Sequence, residues 1–405
     1  MVEAEAVTVK AEGRPMDRRR WNLPSVWFTD VLCHLEVRCA RWMGWTLRRF
    51  PLTKAVPLAI SRGTTSAVER LELCLDHDGI ISRGETGGLD TGHRSYGLET
   101  IEAELQSLLP DLNRIDPANR SVCDELLSSL SPPARCAVDL ALWDWWGQLL
   151  QQPVWRLFSL DGNCAVATSV TLGLASVEGV QQRLERWWKQ LPATRIKLKL
   201  GSPDGLDHDR ALLERVASML QARTQATGVV HELQVDANGG WTVQQATEMQ
   251  SSLMAAEVVL LEQPIAASLD PEEDLQGFAA LREHCTLPLV ADESCWDLQD
   301  LLRLAPHVDG VNLKLLKTGG LTEALLMARV ARRLDLDLMV GCYSDSALLN
   351  GAACQLLSLI RWPDLDSHLN LVDDPFQGLS LDQDKLSPPS AAGLGISRDA
   401  QVQAD

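Results

Sequence analysis

The sequence predicts an α/β fold in which seven or eight βα units form one parallel barrel. Five short apolar segments in the second half of the chain each end in a charged residue, in the order Lys, Asp, Glu, Asp, Lys. These segments are residues 196–199, 233–236, 258–262, 289–292 and 311–314. Successive segments lie roughly one helix and two loops apart, the length of a βα unit. Strands buried in a parallel sheet are normally apolar throughout, so the terminal charges indicate a site at the C-terminal face of a TIM-type barrel.

N-terminal to the barrel, the hydrophobic pattern predicts a small α+β capping domain over residues 44–155. We expect its strands at 45–50, 68–75 and 80–82 and its helices at 98–109, 122–130 and 133–150. Residues 1–43 show no lasting period and are left unassigned, as a candidate disordered extension.

The barrel is assigned to residues 156–372, with strands ending near residues 172, 199, 236, 262, 292, 314, 341 and 365. Helical periods lie between them at 180–190, 209–222, 243–255, 298–304 and 321–334. The tail, residues 373–405, is rich in Pro, Gly, Ser and Asp and is expected to pack back on the capping domain. The chain of 405 residues can hold both domains, since such a barrel needs about 250 residues.

The composition argues against nucleic acid and anionic membranes as partners. The formal net charge is -18, whereas both of these partners favour a basic surface. No apolar run approaches the roughly 20 residues of a membrane span. The ten cysteines form no Cys-x-x-Cys pair, which favours reduced, buried thiols over a zinc ribbon or a disulfide scaffold. We therefore expect a cytoplasmic protein.

Three of the strand-terminal residues are carboxylates on consecutive predicted strands: Asp236, Glu262 and Asp292. With no His or Cys among them, they suit an octahedral Mg²⁺ that keeps coordination positions open for substrate oxygens. Each carboxylate alone is more often a helix cap or a solvated loop residue, but the three together favour the metal. Adjacent residues point to opposite sides of a strand, so the pattern leaves open whether Asp292 or Glu293 faces inward.

Lys197 and Lys199 share one face of the second predicted barrel strand, and Lys314 ends the sixth. Ammonium groups close to each other and to a cation are expected to lower one pKa from ~10.4 toward the range of a general base. A metal-bound carboxylate substrate between Lys199 and Lys314 would present opposite faces of its α-carbon to two amines. Proton removal by one amine and return by the other inverts that carbon, through an enolate that Mg²⁺ stabilises. Lys317 is assigned to the turn at 317–320.

These segments resemble the enolase superfamily, in its muconate lactonizing enzyme subgroup, and within it the dipeptide epimerases, which include L-Ala-D/L-Glu epimerase. Residues 133–144 are similar to the helix that joins the capping domain to the barrel in that group. Residues 235–241, 261–264 and 291–294 are similar to its metal-ligand segments. The resemblance covers most of residues 44–400.

The resemblance implies an isomerase that inverts the α-carbon of the C-terminal residue of an L,L-dipeptide. It implies Lys199 and Lys314 as the acid/base pair, Lys197 as the auxiliary lysine, and Mg²⁺ as the cofactor. The metal ligands implied by the family pattern are Asp236, Glu262 and Asp292.

Asp364 and Asp366 resemble the Asp-x-Asp that holds a dipeptide's α-ammonium group in the epimerases. The alternative for these residues is an ordinary acidic turn after Pro363. Arg62, in the capping domain, resembles the arginine that pairs with a substrate Glu carboxylate. The chain departs from the family at Tyr343, where many relatives have Met, and at 367–368, where Gly-Pro is frequent.

Two other functions stay open at this point. Another enzyme of the same subgroup, o-succinylbenzoate synthase or a muconate-type cycloisomerase, would use the same lysines and carboxylates. A barrel that binds a metal or ligand without catalysis is the alternative from a different class. We also expect a small-molecule substrate and a homo-oligomer, whose state the sequence does not specify.

Overall fold

The computed structural model describes residues 44–399, so the expectation for residues 1–43 falls outside the described part. The described part begins with three long antiparallel strands, each paired with the next. Ile60 lies opposite Gly63, which places Ser61 and Arg62 at the tip of the first hairpin. The strands of this region are β1 (Gly44–Ile60), β2 (Gly63–His77), β3 (Ile80–Gly87) and the short pair β4 (Leu89–Asp90) and β5 (Ser95–Tyr96).

Four helices follow these strands, and the third of them contacts both the antiparallel sheet and barrel helices. They are α1 (Leu98–Leu112), α2 (Arg120–Leu127), α3 (Pro132–Leu149) and α4 (Val154–Leu157). Helix α3 packs against β3 on one side and barrel helices on the other, and most of its residues are therefore buried. A Cβ on Gly84 of β3 would lie 1.9 Å from the Ala137 carbonyl oxygen, so only glycine permits this approach.

Eight parallel strands form the nearly closed barrel, and the predicted fold class is confirmed. Each strand pairs with its neighbour in sequence, so that β7 and β14 form the two ends of the sheet. Side-chain hydrogen bonds link these ends, as from the Ser169 hydroxyl to Asp364 at 2.6 Å. After the two-residue β6 (Val166–Ala167), the barrel strands are β7 (Ser169–Leu172), β8 (Arg195–Lys199), β9 (Glu232–Asp236), β10 (Val258–Glu262), β11 (Leu289–Ala291), β12 (Gly310–Leu313), β13 (Asp337–Gly341) and β14 (Trp362–Asp364).

Helices match the five predicted helical periods, and three further helices lie in segments for which no range was predicted. These are the helices at Pro271–Arg282 and Ala347–Cys354 and a single helical turn that follows Lys314 directly and contains Lys317. Among the described residues, no helix has the length and apolar character needed to cross a membrane. The barrel helices are α5 (Val177–Gln190), α6 (Leu206–Thr227), α7 (Val243–Ala255), α8 (Pro271–Arg282), α9 (Leu298–Leu304), α10 (Leu315–Thr318), α11 (Leu321–Arg333) and α12 (Ala347–Cys354), with 3₁₀ turns at Leu357–Leu359 and Ser367–Asn370.

The strands carry two kinds of residue in succession. A small buried cluster, here called the apolar layer, consists of Leu260, Val290, Met339 and Trp362. Two residues further along three of the same strands comes the charged layer, which consists of Glu262, Asp292 and Asp364. Because side chains alternate along a strand, residues two apart face the same side. The fold therefore places the carboxylates next to the apolar layer, on its side toward the C-terminal end of the barrel.

The C-terminal segment contacts both parts of the chain. Strand β17 pairs with β6 at the start of the barrel. The Leu394 N–H donates a hydrogen bond to the Asp144 carboxylate of α3 at 2.8 Å, and Gly393 forms a β-bridge with Pro153. Its strands are β15 (Phe376–Gln377), β16 (Ser380–Asp382), β17 (Lys385–Ser387) and β18 (Ser397–Arg398).

Candidate active site

Three carboxylates meet at the C-terminal end of the barrel. One oxygen atom each from Asp236, Glu262 and Asp292 lies within 4.8 Å of the others, and all three residues are fully buried. Asp292 thus belongs to the cluster, which resolves the ambiguity with its neighbour. Glu293 turns to the edge of the site, where it accepts hydrogen bonds from the Asn238 amide at 3.2 Å and from Arg62 at 2.8 Å.

Two lysines approach this cluster from strands on either side of it. The ammonium group of Lys199, at the end of β8, lies 2.6 Å from the Asp236 carboxylate. The ammonium group of Lys314, just after β12, lies 2.6 Å from the Asp292 carboxylate. The two side chains are nearly buried, and three strands separate them in the sheet. The arrangement puts one amine on each side of a common acidic centre.

Lys197 lies below Lys199 on the same strand and connects several carboxylates. Its ammonium group is 2.7 Å from Glu262, 2.7 Å from Asp364 and 3.1 Å from Asp236. A buried lysine with three carboxylate partners is firmly held. Its contacts suit a group that fixes the other side chains and keeps their charges balanced.

Lys317 is the site residue that the sequence analysis missed. Instead of lying in an outer turn, it is fully buried, and its ammonium group donates to the Asp292 carboxylate at 2.6 Å. The one-turn helix α10 brings it there, because residues three apart lie on the same helix face. Gly319 and Gly320, with φ of 84° and 110°, end that turn. The spacing of Lys314 and Lys317 was the available signal.

The electrostatics of the cluster are dominated by burial and by these ion pairs. Burial, and then the charge of Asp236, raises the pKa of Glu262 to about 8. Burial alone would also raise the pKa of Asp292, but Lys314 and Lys317 outweigh it and hold that pKa well below its usual value. The neighbouring lysines lower the pKa of Asp236 in the same way.

Two of the buried lysines, Lys314 and Lys197, have raised pKa values. Burial lowers the pKa of Lys314, but the Asp292 carboxylate outweighs burial, and the pKa lies well above its usual value. The pKa of Lys197 is raised for the same reason, against burial, by Asp364, Glu262 and Asp236. The expected lowering concerned one of Lys197 and Lys199 beside a bound cation, and it stays a prediction for the metal-bound site.

Asp364 and Asp366 lie at the seam between β14 and β7. Asp364 pairs with Lys197, and Asp366 accepts a hydrogen bond from the Thr171 N–H at 2.7 Å. Both carboxylates are more than nine-tenths buried. Burial, followed by the charge of Asp364, raises the pKa of Asp366. A buried carboxylate without an ammonium partner in hydrogen-bond contact would be stabilised by a cationic group of a ligand.

Arg62 reaches the barrel mouth from the tip of the first hairpin. Its guanidinium forms an ion pair with Glu293 at 2.8 Å and donates to the Asn238 carbonyl oxygen at 2.8 Å. It lines three neighbouring cavities, of about 580 Å³, 480 Å³ and 380 Å³, and the smallest one also exposes Lys199 and Lys314. Arg62 therefore lies in the pocket, but its charge is already paired.

Comparison with known proteins relates this chain to an enolase-like family and to dipeptide epimerases. A family model described as enolase C-terminal domain-like matches residues 179–402. The chain is 36% identical over 358 residues to a hydrophobic dipeptide epimerase from a Flavobacteria bacterium, which covers 87% of this chain and 97% of that protein. It is 33% identical over 350 residues to a hydrophobic dipeptide epimerase from Roseobacter litoralis, with 85% and 96% covered.

The fold is also similar to a solved structure. The crystal structure of a dipeptide epimerase from Enterococcus faecalis V583, complexed with Mg and the dipeptide L-Leu-L-Tyr, superposes with a TM-score of 0.78. The two sequences are 27% identical, and the match covers 88% of this chain and 100% of that chain.

Proposed function

The chain belongs to the enolase superfamily and, within it, to the dipeptide epimerases, and from this premise we propose that it is a Mg²⁺-dependent isomerase that inverts the α-carbon of the C-terminal residue of a dipeptide. One observation carries the proposal: Lys199 and Lys314 approach one buried acidic cluster from opposite sides. An α-carbon held between two amines can lose a proton on one face and gain one on the other.

The metal site fits the residues present. Asp236, Glu262 and Asp292 are hard oxygen ligands, fully buried and close enough to share one ion. When bound, Mg²⁺ would supply the positive charge that stabilises the enolate character developing on the substrate carboxylate. Asn312 donates a hydrogen bond to Glu262 at 2.9 Å, which orients that carboxylate toward the cluster.

The two lysines have complementary tasks in each direction of the reaction. In its neutral form, Lys199 accepts the α-proton from one face, while the Lys314 ammonium group donates a proton to the other. For the opposite epimer the tasks are exchanged. Lys197 stays bound to its carboxylates and acts as a positioning group. Because neither base needs to move between faces, inversion requires only a planar intermediate held between them.

The dipeptide's α-ammonium group is assigned to the Asp364 and Asp366 seam. Asp364 is neutralised by Lys197, so Asp366 carries the charge left for that ammonium group. For the C-terminal side chain we propose an uncharged, predominantly apolar residue. An acidic side chain would have to break the ion pair of Arg62 with Glu293. The relatives named hydrophobic dipeptide epimerases support the same choice.

The deciding experiment is a dipeptide library incubated in D₂O with Mg²⁺ and analysed by mass spectrometry. We expect a gain of one mass unit at the C-terminal α-carbon of apolar L,L-dipeptides, and no gain when a chelator is present. If every dipeptide stays unlabelled while a cyclohexadiene carboxylate is converted, the synthase alternative replaces this proposal.

We further propose that residues 44–155 and the C-terminal tail from 373 form the capping domain around a barrel of residues 156–372. A cytoplasmic location is supported by the eight free cysteines among the described residues, since free buried thiols are typical of a reducing compartment. Cell fractionation tests that location. Self-association and the absence of nucleic-acid or membrane partners stay predictions, and light scattering tests the first of them.

A further inference from the structure

Tyr343 lines the smallest of the three cavities that Arg62 borders. It follows β13 by two residues and lines the same 380 Å³ space as Lys199 and Lys314. Its surroundings are strongly polar, with Lys314, Asp292, Glu293 and Arg62 contributing to its electrostatic environment. A large aromatic side chain at this point defines the wall of the cavity on the Lys314 side.

The Tyr343 hydroxyl is an unsatisfied hydrogen-bond donor. It is buried, and it has no hydrogen-bond partner among the described residues. A buried hydroxyl without a partner is destabilising, and such groups are uncommon in native structures. Burial raises the pKa of Tyr343 well above the ordinary ~10 of a tyrosine, so the hydroxyl keeps its proton and is a hydrogen-bond donor at neutral pH. The free donor borders the space that the substrate would enter.

The ring has a second contact. The Lys314 ammonium nitrogen lies 4.5 Å from the centroid of the Tyr343 ring. A cation within about 6 Å of an aromatic face is attracted to it, and the attraction is stronger when water is excluded. The same side chain therefore touches one of the two amines and offers a donor to the cavity between them.

The loop that carries Tyr343 is held in place by buried charges. The Asp345 carboxylate accepts a hydrogen bond from the Tyr343 N–H at 3.0 Å and forms an ion pair with Arg70 of β2. Arg70 in turn pairs with Glu85 of β3 at 3.1 Å, and both residues are almost completely buried. The capping sheet thus fixes the position of Tyr343, as expected of a preorganised binding group.

We propose that Tyr343 binds the substrate: its hydroxyl donates a hydrogen bond to an oxygen of the dipeptide, and its ring holds Lys314 on the adjacent face. The inference rests on the proposed epimerase function and adds to it a substrate-contacting residue outside the lysine and carboxylate set. It applies to this chain in particular, because the donor exists only where the residue is tyrosine.

Tyr343→Phe separates the hydroxyl from the ring. We expect KM for the preferred dipeptide to rise with kcat nearly unchanged, since a contact made equally in the ground and transition states affects binding alone. A rise of roughly 3- to 10-fold identifies a carbonyl oxygen as the acceptor, and a larger rise identifies a carboxylate oxygen. At substrate concentrations well below KM, hydrogen exchange at the two epimers should slow by the same factor.

Tyr343→Met removes the ring as well. Relative to Tyr343→Phe, it should slow exchange only in the epimer whose α-proton faces Lys314, so that the ratio of the two exchange rates changes. The matched control is Tyr96→Phe, which alters the chain's other tyrosine, a residue packed against Trp296. The control should leave KM and the exchange ratio as in the wild type.

The outcomes are distinguishable. A wild-type enzyme that labels no dipeptide overturns the proposed function. An active wild type with unchanged KM in Tyr343→Phe overturns the role of the hydroxyl, whatever the thermal midpoint does. Equal slowing of both epimers in Tyr343→Met, beyond that in Tyr343→Phe, overturns the role of the ring.

Discussion

The apolar layer and the charged layer occupy the same strands, two residues apart, and obey opposite rules. Leu260 and Val290 are fully buried and need no partner. Glu262 and Asp292 are just as buried, yet each lies 2.6 to 2.7 Å from a lysine ammonium group. The difference shows how the barrel separates tasks: one layer stabilises the fold by excluding water, and the next holds charges that only mutual pairing makes tolerable.

Removing a base should produce the largest effect and should leave the apolar layer unaffected. For Lys199→Ala and for Lys314→Ala we expect epimerisation to fall by about 10²- to 10⁴-fold, the usual contribution of a positioned acid or base. Each variant should still exchange the α-proton of one epimer, and the two variants should prefer opposite epimers. Mass spectrometry in D₂O measures both rates.

Equal residual exchange of both epimers in both lysine variants would contradict a two-base mechanism. Arg186→Ala, a change on helix α5 outside the charged layer, provides a charge-matched control and should behave as wild type.

The converse experiment removes a large side chain from the apolar layer. Met339→Ala should lower the free energy of unfolding by about 2–5 kcal/mol, because the cavity left behind collapses only in part. The kcat of the folded fraction should stay close to the wild-type value, since the carboxylates above are held by their own ion pairs. Urea unfolding and activity at low temperature give the two quantities. Parallel loss of kcat and stability would show that the layers are coupled.

Glu262→Gln tests whether the charged layer binds Mg²⁺, by comparing how much the ion stabilises the variant and the wild type. Mg²⁺ at about 100 times its Kd should stabilise the wild type by about 2.7 kcal/mol and the variant by much less, because an amide brings no charge to the site. Thermal unfolding with Mg²⁺ and with a chelator measures the difference. A variant that keeps the full Mg²⁺-dependent rise, together with activity, would remove Glu262 from the ligand set.

The smallest expected effect is on the pH dependence of stability, in the variant His368→Gln. It tests what protonating a buried histidine costs when no carboxylate is paired with it. Burial lowers the pKa of His368 from 6.5 to about 4. The unfolded chain therefore binds the proton more tightly, and stability is lost as the pH falls from about 6.5 toward 4. Between pH 7 and pH 5 the loss should be about 2 kcal/mol. In His368→Gln this part of the pH dependence should vanish, and an unchanged slope would contradict the assignment.

The site at the strand ends could be predicted from the sequence because charged residues are unusual in buried parallel strands. A lysine or carboxylate in an otherwise apolar parallel strand is an anomaly, and five in one order indicate a site. Contacts between distant segments carry no such signal. The pairing of Arg62 with Glu293 joins residues 231 positions apart, and no local pattern reveals it. No range was predicted for helix α8, whose first turn is Pro-Glu-Glu-Asp, a composition shared with polar loops.

The tail described above has a consequence for the order of events during synthesis. Strand β6 near residue 166 finds its partner only when Lys385 and Leu386 have been made, and Asp144 waits for the N–H of Leu394. Since contacts between distant residues are slow to form, the contacts of β6 and Asp144 stay incomplete until residues 385–394 have been synthesised. We therefore expect nascent chains that stop before residue 385 to depend on chaperones, and residues 385–394 to complete the fold.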